Sequence, residues 1–320
     1  MTRNFVVLSS GFAMILASVA CADGQPLPSL PEGSGRWEAV AELDLSRQEV
    51  GAARIGDRVY VVGGLTENGN TATVEVYDVA ADAWSPAPDM PVALDHAGTV
   101  ALGGRLFVIG GYAADRAAQR GVWIFDPGTG DWTAGSPLPE ARAAGWAVAA
   151  NDGIVFFGGT DPGTDAVATT FIYDPASEAW TEGAPTPTPR EHLTAALLGE
   201  WIHVVGGRAD GATNAHERYH PGEDRWETLP PLPTARSATA TAVLGGRLYV
   251  AGGEVPRLFD VHEVFDPVTG AWSGAEPMPV PRHGVAAVAL DDRIFVPAGG
   301  TVQGLRPTAH ADMFIPAEPE

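Results

Sequence analysis

The sequence predicts an all-β protein whose chain closes into a ring of six four-stranded blades, and three observations carry that reading. A glycine pair follows a β-rich run six times, in "VYVVGG", "LFVIGG", "IVFFGG", "IHVVGG", "LYVAGG" and "FVPAGG", at a spacing of 46 to 48 residues. Between the pairs stands an aromatic residue, usually before aspartate, followed by Trp84, Trp132, Trp180, Trp226 or Trp272. Helical periodicity is absent throughout. Each unit therefore reads as four short strands separated by turn residues, which is one blade of a β-propeller.

The elements follow in chain order. Residues 1–22 read as a signal peptide, an apolar run behind one arginine that ends in small residues, or as a lipoprotein leader ending at residue 20 with Cys21 acylated. Residues 23–35 read as a linker, 36–317 as the propeller and 318–320 as a tail. The last unit, "ADMFIP", never reaches a tryptophan, whereas Trp37 stands 47 residues before Trp84 with no glycine pair ahead of it. The strand around "GRWEAVAEL" is thus expected to complete the C-terminal blade, which closes the ring on its own ends and removes the exposed sheet edges. First strands such as "TAALL" and "GVAAVAL" are rich in small residues, as suits strands crowded toward the ring axis. Trp146 departs from that rule, either as a channel plug or as a repacked core aromatic. Pro297 is expected to add one residue to its strand, at a bulge or edge, because proline lacks a ladder donor.

Composition narrows the function classes. The chain of 320 residues carries 40 acidic against 19 basic residues, all of the latter arginine, for a net charge of -21. That balance argues against bulk binding to nucleic acid or anionic membrane, leaves lipidation of Cys21 as the membrane contact, and favours a self-repelling monomer. With Cys21 as the single cysteine, no disulfide is expected despite export to the periplasm or beyond. No HExxH, paired Cys-x-x-Cys or phosphate-binding glycine loop occurs, and the acidic loops around Asp161, Asp165 and Asp210 lack EF-hand spacing. No metal or cofactor is expected, and melting should be indifferent to chelator.

Glycine pair, spaced aromatic and spaced tryptophan together resemble the kelch repeat over nearly all of residues 36 to 316. The resemblance implies a six-bladed propeller. It also implies, from the kelch domains of ubiquitin-ligase adaptors, that arginines opening the inner strands can grip acidic peptides. Here that column reads Arg47, Leu94, Arg142, Arg190, Arg236 and Arg282. His96 and His192 hold matching places two residues further on, and His283 lies beside Arg282. Guanidinium groups present planar donor forks to carboxylate, sulfate or phosphate, so one reading is a channel mouth that binds an anionic glycan or an acidic protein segment. The other is structural, with the arginines donating to carbonyls between blades. Galactose oxidase also resembles kelch proteins, but its copper site needs a tyrosine crosslinked to cysteine, which Cys21 beside the leader does not supply. Similarity to periplasmic sialic acid mutarotase, an exported six-bladed kelch propeller, implies an acid-base pair, for which Glu254 and Arg257 in "GGEVPR" are the candidates.

Overall fold

A computed structural model describes residues 35–163 and 165–317. The leader, Cys21, the linker up to residue 34 and the tail 318–320 lie outside the described residues.

Six four-stranded antiparallel sheets succeed one another along the chain. The first blade is built from Gly51–Ile55, Arg58–Val62, Val74–Asp78 and Ala83–Ala87, and the second from Gly98–Leu102, Arg105–Ile109, Val122–Asp126 and Asp131–Ala134. The third, fourth and fifth repeat this plan, opening at Trp146–Ala150, Thr194–Leu198 and Ala240–Leu244. Each first strand packs beside the first strands of both neighbouring blades, and the sixth blade's Val288–Ala289 packs beside the first blade's. The first strands therefore line the axis, and crowding there explains their small residues. A Cβ added at Gly51 would lie 1.9 Å from Thr99 Oγ1 of the next blade.

The sixth blade takes its outer strand from the other end of the chain. Arg36–Ala39 pairs antiparallel with Ala311–Ile315, Trp37 opposite Phe314, so the expected closure is present. All six outer-strand tryptophans then do the same thing. Each indole Nε1 donates to a carbonyl just past the outer strand of the preceding blade: Trp84 to Ala41, Trp132 to Pro88, Trp180 to Ser136, Trp226 to Ala184, Trp272 to Pro230 and Trp37 to Glu276, at 2.8 to 3.0 Å. A buried indole needs a partner for its N–H, and here that partner ties blade to blade. Six apolar clusters fill the six seams; in the closing one, Tyr77 stacks on Phe295 with centroids 4.6 Å apart. The core thus lies between blades.

The expectation for Pro297 is corrected. Its strand, Ile294–Pro297, has no extra residue: Val296 faces Asp312 and Pro297 faces Ala311, as Val250 and Ala251 face Glu263 and His262 one blade earlier. It is the glycine pair that has slipped, with Ala298 (φ 59°) and Gly299 (φ 109°) holding the backbone of Gly252 (φ 63°) and Gly253 (φ 102°). The proline costs no ladder donor because the first strand of this blade is only Val288–Ala289 and stops short of it. Trp146 lines the axial channel, where it borders cavities on both sides of a constriction.

Candidate functional site at the channel mouth

The arginine column is not a ring of open cations. Arg47, Arg142, Arg190, Arg236 and Arg282 are all buried, and their charges are answered inside their own blades. Arg47 meets Glu75, Arg190 meets Glu217, Arg236 meets Glu263 and Arg282 meets Asp312, all across buried ion pairs. Further donors go to carbonyls of the same blade, as Arg47 to Gly63 and Thr73 and Arg236 to Gly252 and Val250, while the buried Nε of Arg47, Arg142, Arg190 and Arg282 and the Nη1 of Arg282 have no partner among the described residues. The acid stands at the second residue of the third strand, and it is present in four of the five blades whose column holds arginine. Where the column holds Leu94 the partner place holds Trp123, and both pack in one seam. Where Arg142 lacks an acid there, its guanidinium lies 5.4 Å over the Phe171 ring and reaches Glu140. These arginines hold blades together, within rather than between them, and the expected anion grip by this column is withdrawn.

The mouth itself is made by the residues just after that column. Glu49, His96, Ala144, His192, Ala238 and Gly284 occupy one place in the six blades, and all have left-handed backbone, φ 49° to 58°. Each N–H donates to the carbonyl of its counterpart in the preceding blade: His96 to Glu49, Ala144 to His96, His192 to Ala144, Ala238 to His192, Gly284 to Ala238 and Glu49 to Gly284, at 2.7 to 3.2 Å. A closed collar of six backbone hydrogen bonds therefore constricts the channel. At Gly284 a Cβ would lie 2.4 Å from Glu49 Oε1, so the glycine leaves room for that carboxylate. On the far side of the collar the channel is lined chiefly by alanine, threonine and valine.

On the near side the collar carries a charged cluster. His96 Nε2 is 3.3 Å from Glu49 Oε2, and the His96 and His192 rings meet edge to face at 4.8 Å. The Nδ1 of each imidazole is held by the carboxylate just before it in sequence, His96 by Asp95 at 2.5 Å and His192 by Glu191. Arg208 bridges Glu191 and Glu254, the latter at 2.7 Å, and His283 Nε2 stands 3.7 Å from Glu49 and 3.6 Å from Glu254. Burial pushes the Glu49 carboxyl up, but His96, His192, His283 and Arg208 pull it down to about 2. Burial opposes charge on His96, yet Glu49 and Asp95 hold it above its ordinary value. Burial, with His96 alongside, keeps His192 below its own despite Glu191.

A cleft of about 560 Å³ opens above this cluster, within the usual range for ligand sites. The third blade contributes Thr160, Asp165 and Ala166 to it. Its walls are Tyr112 and Arg116 from the second blade and Glu191, His192 and Arg208 from the fourth, with Asp165 and Asp210 at the rim. Arg116, half exposed, is held by both oxygens of Asp95 and lies 4.3 Å over the Tyr112 ring. Tyr112 Oη and Thr160 Oγ1 share a hydrogen bond of 2.6 Å.

The structure thus brings together His96, His192, His283 and Glu254 among the residues expected from sequence. Arg257 is elsewhere, exposed and 4.9 Å over the Phe259 ring, so the guanidinium beside Glu254 is that of Arg208. Glu49, Asp95, Tyr112 and Glu191 were not anticipated. Glu49 shares the repeat position of His96 and His192, two residues after the arginine column, and that alignment of blades is the signal that finds it.

Fold and mouth together define a six-bladed propeller of the kind that serves as a binding scaffold. The chain belongs to the kelch-repeat family: it matches the KLHDC2/KLHL20/DRC7 Kelch-repeats domain over residues 49–253 and again over 96–300. Among curated proteins it is similar to Kelch-like protein 22 of Homo sapiens and of Ailuropoda melanoleuca, 37% identical over 59 residues, which is 18% of this chain and 9% of each relative. Among solved structures it is similar to one titled "Structure of YjhT", with a TM-score of 0.75 and 16% identity over 85% of this chain and 95% of that one. At that identity the likeness is one of fold.

Proposed function

We propose that this chain is an exported binding module of the cell envelope that takes an anionic glycan in the cleft above the collar. The carrying observation is the pair of guanidinium groups, Arg116 and Arg208, on facing walls of one cleft and both reachable from solvent, with side chains 53% and 25% exposed. Arg116 is oriented by Asp95 and Arg208 by both Glu191 and Glu254, so each guanidinium is fixed in place before a ligand acid arrives. Tyr112 adds an aromatic wall, and Thr160, Glu191, Asp165 and Asp210 offer hydrogen-bonding groups suited to sugar hydroxyls. The same acids favour a glycan over an acidic peptide. A run of carboxylates would meet Asp165, Glu191 and Asp210 as like charges, whereas a sugar with one carboxylate presents hydroxyls to them.

A glycan array and an acidic-peptide array probed with the purified chain test this. Binding to carboxylated sugars is expected, weakened by about 1.5 to 3 kcal/mol in Arg208→Ala. Retention of acidic peptides alone would replace the ligand class. Accelerated exchange between the anomers of a sugar hit would make the site that of an enzyme, the mutarotase-like alternative.

A further inference from the structure

We infer that Glu49, His96 and His192 form a binding site for one divalent transition-metal cation of the zinc class at the floor of the cleft. One donor atom from each of the three lies within 4.8 Å of the others. The 3.3 Å between His96 Nε2 and Glu49 Oε2 already equals the edge of a tetrahedron with bonds of about 2.0 to 2.1 Å, the lengths zinc takes to imidazole and carboxylate. Two neutral imidazoles and a carboxylate are borderline ligands that suit zinc or cobalt better than calcium or magnesium.

The surroundings are those that metal-binding histidines need. A ligating imidazole holds its other nitrogen's proton against a carboxylate or carbonyl, which fixes the tautomer and turns the lone pair to the ion. Asp95 does this for His96 and Glu191 for His192, each at the residue just before the histidine; an arriving ion displaces the proton that Glu49 favours on His96 Nε2, while Nδ1 keeps its own. The backbone beneath is fixed by the hydrogen-bonded collar, so the three donors are presented by rigid elements. The places between them in the ring are Ala144, Ala238 and Gly284, which crowd nothing into the centre. A cavity of about 40 Å³, lined in part by all three residues, has room for an ion or its water. Two other groups stand close by: His283 Nε2, 3.7 Å from the Glu49 oxygen not turned to His96, and Arg208 Nη2, 3.1 Å from His192 Nε2 and 3.4 Å from Nδ1. A donor in line with the Nε2 lone pair would stand much farther from Nδ1 than from Nε2. The guanidinium therefore lies along the side of the ring and leaves the lone pair open.

This goes beyond the glycan reading and stands without it, because the metal has its own readout. The purified chain, stripped with chelator and titrated with Co²⁺, is expected to show visible absorption saturating at one ion per chain, displaced by Zn²⁺, and Zn²⁺ is expected to raise the melting temperature. Glu49→Gln, nearly isosteric, and His192→Asn are each expected to weaken Co²⁺ binding at least 100-fold. Asp95→Asn, which only positions His96, is expected to weaken it about 10- to 100-fold. A stripped wild-type chain with neither absorption nor a zinc-dependent rise in melting temperature would overturn the site. So would binding of equal strength in wild type, Glu49→Gln and His192→Asn, which would put the ion elsewhere. Glycan binding lost while cobalt binding persists would sink only the glycan reading.

Discussion

A guanidinium sealed from water must have its charge answered nearby, because desolvating an unpaired ion costs several kcal/mol. Arg236 is the clearest case, wholly buried with Glu263 and with carbonyls of its own blade on the remaining donors. Replacing it with alanine strands Glu263, and the expected loss of stability is about 3 to 5 kcal/mol in urea unfolding. Replacing both, as Arg236→Met with Glu263→Leu, should cost less than the single change, since no charge is then orphaned. If Arg236→Ala unfolds at the wild-type midpoint, the ion pair is not what holds the blade. Arg208→Ala is the contrasting variant, a quarter-exposed cation whose loss should be felt in binding first. The arginine column was legible in the sequence, and so were its partners, which stand 27 to 30 residues on. What the letters did not show was that these two places, on different strands, face each other. Without that, a buried structural column and an open anion-binding ring read alike.

At the scale of the strand, matching places in successive blades can diverge in chemistry while the backbone repeats. His216 and His262 open the third strands of the fourth and fifth blades, where each Nδ1 donates to a carbonyl, Pro230 and Glu276 respectively. Burial lowers both imidazoles to about 4; Arg190 and Arg218 push His216 the same way, Arg236 pushes His262, and the two carbonyls only partly oppose. In the unfolded chain an imidazole titrates near about 6.5, so below that pH the unfolded state takes protons that the folded state refuses. The stability these two supply is complete above about pH 6.5 and falls as pH drops toward about 4, by up to about 1.4 kcal/mol per histidine per pH unit. Urea midpoints followed across this window should fall steadily, and the double variant His216→Gln, His262→Gln should make the fall shallower, with the remainder owed to His203, which burial lowers to about 3. A midpoint level across the window in the wild type would show that these histidines are charged in the folded chain. Strand order and the blade repeat were legible because glycine pairs and tryptophans mark them along the chain. The slip at Ala298 was not, since the eye aligns the last pair on its glycines while the backbone aligns it on φ. The mouth was half legible for a related reason. Its residues come from all six blades and carry different side chains, so only the histidines looked alike, and Glu49 in the same place did not.

For the whole molecule, a ring has no free edge only if its last seam is as sound as the others. The blade that closes the ring is completed by the ladder between Arg36–Ala39 and Ala311–Ile315, and its seam with the fifth blade rests on Trp37, which packs against Phe314 at 5.2 Å, against His262 at 5.4 Å, and donates to Glu276. Trp37 does for the sixth blade what Trp84 does for the first, so truncating either should cost a similar amount. For Trp37→Ala the expectation is about 3 kcal/mol, the lower end for large aromatics because this indole is only partly buried. Removing residues 36–39 altogether is a different injury. The amides and carbonyls of Ala311–Ile315 would lose their outer partner, leaving a strand with a row of unpaired groups next to an apolar seam, and such an edge recruits a second copy. Trp37→Ala should therefore melt early yet stay monodisperse, while the deletion should melt early and associate, as scattering read beside calorimetry would show. If the deleted chain melts with the full one and remains a monomer, the N-terminal strand is ornamental and the ring is held shut by its inner strands alone.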